Sequence, residues 1–114
     1  MSDDDPRQRR VGENEAIFRT VNEQIESVNK GIASIADGKM HVVCECGTLS
    51  CSETIAVDLS VYERVRSDPT LFIVRTDHVV AQIERVVEDG DDYQIVRKLP
   101  GEAEDVARAT DPRA

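Results

Sequence analysis

Apolar residues recur near the start of the chain at alternating steps of three and four: Phe18, Val21, Ile25, Val28, Ile32 and Ile35, separated by Glu, Asn, Gln and Lys. That period draws one stripe along an α-helix, expected from about Glu13 to a stop at Asp37-Gly38. The stripe is as narrow as a coiled-coil seam but spans under three heptads. It is expected to cover the protein's own sheet, with a homodimer seam or a groove for a partner helix as alternatives.

The period then changes to two. Residues 40–46 are a β-branched run, and residues 53–59 alternate Ile55, Val57 and Leu59 with Thr54, Ala56 and Asp58, as a half-buried strand does. Ser60-Val61-Tyr62-Glu63 has the form of a capping box, so a short helix should run to about Arg66 and close at Asp68-Pro69. Residues 70–75 read as a third strand. Residues 83–88 and 93–98 flank Gly90-Asp91-Asp92, whose turn chemistry predicts a hairpin, and residues 102–109 read as a weak helix after Pro100-Gly101. The order predicts an α+β fold: a long N-terminal amphipathic helix on a small, mainly antiparallel sheet. Residues 1–12, charged and without apolar periodicity, are expected to be a disordered tail, residues 13–110 one domain, and residues 111–114 a frayed end.

Composition narrows the function. With aromatics at 4% and no Trp, the core must come from Val and Ile, which makes it light and in need of a cross-link. The net charge is −9, from 23 acidic against 14 basic residues, and the first twelve residues cancel, so the excess sits on the folded part. That balance argues against duplex nucleic acid and anionic membranes, both of which are held by clustered Lys and Arg. The start has no basic region followed by an apolar stretch, and no window is apolar enough to span a bilayer, which predicts a cytoplasmic protein. The carboxylates Glu63, Glu84, Glu88, Glu102 and Glu104 interleave with Arg64, Arg66, Arg85, Arg97 and Arg108, the pattern of a solvated face.

All three cysteines fall within Cys44-Glu45-Cys46-Gly47-Thr48-Leu49-Ser50-Cys51, between the first two strands. In a reducing compartment such crowding points to a metal rather than a disulfide framework, which would leave one thiol over. Zinc takes four ligands in a tetrahedron. Strand alternation sets His41 on the face opposite Cys44 and Cys46, so His78, just past the third strand, is the expected fourth ligand. Gly47 supplies the positive φ that a turn after Cys46 requires. The competing reading makes Cys44 a small buried hydrophobe and the other two incidental loop thiols.

The motifs Asn14-Glu15-Ala16-Ile17-Phe18-Arg19-Thr20-Val21-Asn22-Glu23 and Val43-Cys44-Glu45-Cys46 resemble those of a group of small, uncharacterised actinobacterial proteins. The likeness continues through Cys51, residues 61–66, His78 and residues 83–88. It implies that Cys44, Cys46, Cys51 and His78 belong together as a set, although the group's histidine follows a Pro-Gly turn where this chain has Thr76-Asp77. The group implies no activity.

These features predict a non-enzymatic domain held by structural Zn2+ and acting in protein–protein interaction or regulation, its protein partner unnamed. The principal alternative is a redox-sensing zinc–thiolate switch. A zinc-dependent hydrolase would need an open coordination position, with Glu45, Glu53 or Asp77 as base.

Overall fold

The computed structural model describes residues 6–32 and 39–113. Helix α1 (Pro6–Ile32) is followed by strands β1 (Lys39–Val43) and β2 (Thr54–Asp58), helix α2 (Leu59–Arg66), strands β3 (Leu71–Arg75), β4 (Glu84–Asp89) and β5 (Tyr93–Lys98), and helix α3 (Glu102–Ala109). The expected α+β architecture is present: a long N-terminal helix on small antiparallel sheets. No described helix is long and apolar enough to cross a membrane.

Two antiparallel sheets form, a β1-β2 ribbon and a three-stranded sheet in the order β3-β5-β4. Alternation works as the sequence suggests in the ribbon. Met40 faces Val57 and Val42 faces Ile55 across the ladder, all four buried, while His41 points outward. Strand β3 is buried from Leu71 to Val74 because both of its faces are covered, which fits its continuous apolar run. The sheets meet where the chain leaves β1: the Cys44 amide still donates to the Glu53 carbonyl, and the next amide, Glu45, donates to the Ile73 carbonyl of β3 at 2.9 Å.

Helix α1 departs from expectation in two ways. It starts at Pro6, so residues 6–12 are helical rather than tail, and Arg9 reaches Glu102 of α3. Its apolar stripe also does not lie on the sheet. Val21 and Val28 are exposed, Phe18 and Ile25 are half-buried, and the face turned inward is Gly12, Glu15, Ala16, Arg19, Asn22 and Glu26. Ile35 and the Asp37-Gly38 stop lie outside the described residues.

The polar inner face is tolerated because each group meets a partner. The Arg19 guanidinium donates to the carbonyls of Pro69 and Ala107, both at 2.8 Å, and lies 4.8 Å over the Phe72 ring. Lys98 Nζ lies 4.6 Å from the centroid of the same ring and pairs with both Glu15 and Glu84. Burial, reinforced by the Glu84 carboxylate and opposed by Lys98, pushes the Glu15 carboxyl up from 4.5 to about 8.

Glu84 and Arg66, expected on a solvated face, are therefore interior residues: Glu84 opens β4 pointing inward at Lys98, and Arg66 ends α2 turned onto Glu45. The expected capping box does not form either. Ser60 falls inside α2, whose N-cap is Asp58 without a side-chain capping bond. Near the C-terminus Arg113 pairs with Glu23, Glu26 and Glu63, so residue 113 is held rather than frayed.

Candidate metal centre

Strand alternation builds one half of the site. Cys44 and Cys46 follow Met40 and Val42 in the inward parity, and both are buried. Gly47 then takes φ 77, the left-handed conformation its position calls for, and Cys51 returns through a tight turn closed by its amide on the Thr48 carbonyl at 2.9 Å. The other half comes from the second sheet. Beyond β3 the chain turns between Arg75 and His78, closed by the His78 amide on the Arg75 carbonyl at 2.9 Å, with Asp77 at φ 71.

One donor atom from each of Cys44, Cys46, Cys51 and His78 lies within 4.8 Å of the others, an arrangement able to hold a metal ion. His78 Nδ1 stands 3.4 Å from Cys44 Sγ and 3.6 Å from Cys51 Sγ. A tetrahedral zinc with bonds of about 2.3 Å to sulfur and about 2.05 Å to nitrogen would set those atoms about 3.5 Å apart. The two sulfur–nitrogen distances are compatible with an ion bound between these groups. His41, exposed on β1, stays outside the cluster, as its strand parity requires.

Two opposing effects act on the first cysteine of the cluster. The Arg75 amide donates to Cys44 Sγ at 3.2 Å, which stabilises negative charge on that sulfur. Burial has the larger effect and pushes the Cys44 thiol well above the ordinary range, with Cys46 and Cys51 adding to the rise. Cys51 and His78 are only half-buried, and a cleft of about 570 Å³ bordered by Cys46, Thr48, Cys51, Glu53, Asp77 and His78 opens onto them.

Glu45, between two of the donors, points the opposite way. Its carboxylate accepts from Asn22 Nδ2 at 2.6 Å, Arg66 Nη2 at 2.6 Å and the Ile73 amide at 3.1 Å, and it is fully buried. It is thus a structural anchor rather than a base facing the cleft; Glu53 and Asp77 are the carboxylates that border the cleft. Asn22 also brackets Val43, accepting from its amide at 2.8 Å and donating to its carbonyl at 2.9 Å. Asn14 donates to the Gly47 carbonyl at 3.1 Å, and a Cβ on Gly47 would come within 2.9 Å of Glu15 and Val11. Helix α1 is in this way fastened to the cysteine turn through Asn14, Asn22 and the Gly47 contact.

Sequence reasoning did not identify Asn22, Arg66 or Glu45 as this supporting shell. The available signal was parity: between two inward cysteines, Glu45 had to face either solvent or a second covered face. No protein-family model matches the chain, and neither a curated protein nor a solved structure shows significant similarity to it.

Proposed function

We propose that the chain is a cytoplasmic, non-enzymatic domain stapled by one structural Zn2+ through Cys44, Cys46, Cys51 and His78, and that it works by contact with another protein. The observation that carries the reading is the donor spacing: three sulfurs and one imidazole nitrogen, with the two S···N distances at 3.4 and 3.6 Å. Three thiolates and a neutral imidazole complete a tetrahedral shell, which leaves no position for an activated water and makes the role structural. The net charge of −9 supports a protein partner over nucleic acid.

Elemental analysis of untagged protein purified under reducing conditions tests the staple. About one zinc per chain is expected, falling in Cys46→Ser and His78→Ala but not in His41→Ala. A metal-free chain with three free thiols and an unchanged fold would defeat the reading.

A second reading, a redox switch, is favoured by the cleft that opens onto Cys51 and Cys46. Two zinc-bound thiolates would give two electrons to a peroxide: with two protons, hydrogen peroxide becomes two waters, a disulfide forms and Zn2+ is released. Prompt zinc release by dilute peroxide, reversed by a dithiol, would select this reading; an inert ion would exclude it.

A further inference from the structure

Between residues 17 and 28, every exposed side chain of α1 is uncharged: Ile17, Thr20, Val21, Gln24, Ser27 and Val28. Charged residues make up 32% of the chain and its net charge is −9, so a charge-free strip of this length stands out. Ile17 is 56% and Val28 60% exposed. Beside them Val106 and Ala109 of α3 join Ala16, Ile17 and Val21 in bordering an open groove of about 660 Å³, which Arg9, Glu13 and Asp105 also line. None of these residues belongs to the metal centre.

We propose that this face is a self-association surface on which a second copy of the chain lays its own α1, antiparallel, about a two-fold axis. Ile17, Val21, Gln24 and Val28 are spaced four, three and four apart, the interval at which one helix presents a seam to another. A seam of this kind calls for a helical occupant rather than an extended one. Charge then decides which helix. A foreign partner drawn to a protein of charge −9 would be basic and would seek carboxylates, yet this strip offers none. Two copies of the same acidic chain repel one another wherever carboxylates meet, and positions 17–28 of α1 add no exposed carboxylate to that cost.

A two-fold axis passing between Val21 and Gln24 makes the seam self-complementary. Ile17 of one copy meets Val28 of the other, and each Val21 meets the other copy's Gln24. The polar Gln24 near the axis fixes the register while limiting stability. Twelve helical residues span about 18 Å, so the contact is shorter than a standard stable interface and gives a reversible dimer rather than an obligate one.

The proposal rests on the reading of the chain as a protein-contact domain and not on the identity of the ion, so metal content and oligomeric state test the two separately. Sedimentation equilibrium of the full, zinc-loaded chain, from low micromolar to hundreds of micromolar, should show the mass rising from one chain to two. Raising salt should strengthen the association by screening the acidic surfaces. Val21→Glu with Val28→Glu should raise the dissociation constant roughly tenfold or more while leaving circular dichroism and zinc content unchanged. A control with Val86→Glu and Val87→Glu, on exposed positions of β4, should leave it unaltered. A chain monomeric throughout, a dimer indifferent to the α1 substitutions, or a dimer abolished by the β4 pair would overturn the proposal. So would capture of an unrelated helical peptide by this face in a chain that stays monomeric.

Discussion

Asn22→Ala should weaken both the fold and the proposed metal centre, although Asn22 is not itself a donor of the cluster. Asn22 is fully buried and makes three hydrogen bonds, two to the backbone of Val43 and one to the Glu45 carboxylate. A neutral bond contributes about 1 kcal/mol and one to a charged group about 1.5–3 kcal/mol. Truncation leaves those partners buried without Asn22, for a loss of about 3–5 kcal/mol. That is a large share of the roughly 5–15 kcal/mol that holds a domain together. In urea the midpoint should fall by about 2 M. Val43 precedes the first cysteine and Glu45 separates the first two, so the substitution also loosens the donors. Affinity for the proposed zinc ion, measured by competition with a chromophoric chelator, should drop about 10- to 100-fold, as for other supporting residues of metal sites. A loss below about 1 kcal/mol with unchanged zinc affinity would refute the claim that α1 is fastened to the cysteine turn through this residue.

Other expectations are independent of that one. The Glu15 carboxyl, raised to about 8 in the fold from 4.5, keeps its proton where the unfolded chain has lost it, so its contribution to stability declines as pH rises through that window. Glu15→Gln, which mimics the protonated form, should therefore gain on the wild type by up to about 1.4 kcal/mol per pH unit between about pH 5 and pH 8; parallel urea titrations would expose a flat difference if this is wrong. Gly47→Ala should cost at least about 1–2 kcal/mol, because the position holds φ 77 and a Cβ would press on Val11 and Glu15. Thermal melts that superimpose on the wild type would count against it. Stripping the proposed ion with a chelator should release amide protection first in residues 43–53 and in the α1 turns around Asn14 and Asn22, read by hydrogen exchange. Loss spread evenly over β4 and β5 would show that the staple is not local.

Much of the scaffold was legible because it depends on each residue's own character. Met40 and Val42, or Ile55 and Val57, announce a strand by alternation, Gly90-Asp91-Asp92 announces a turn, and three clustered thiols suggest a metal whatever the fold. The inner face of α1 was not legible for the opposite reason. Glu15, Arg19 and Asn22 are buried only because Lys98, Glu84, Phe72 and Val43 wait for them across the chain. Periodicity weighs each side chain alone and assigns such residues to water, so Val21 and Val28 were set on the sheet in their place. Arg66 and Glu84 were misplaced by the same logic, since nothing local distinguishes a surface ion pair from one whose members both turn inward.

The join between the two sheets has a consequence for the order of assembly. Cys44, Cys46 and Cys51 come from the end of the β1-β2 ribbon, while His78 comes from the turn beyond β3, 27 residues after Cys51. The ribbon can form early, since it is local in sequence, and can offer three sulfurs to an ion. His78, the proposed fourth ligand, would arrive only when the second sheet has closed against the Glu45 amide. Ion capture should therefore proceed in two kinetic phases, a loose three-sulfur encounter followed by a slower locking step. The slower rate would act as a clock for the docking of one sheet onto the other.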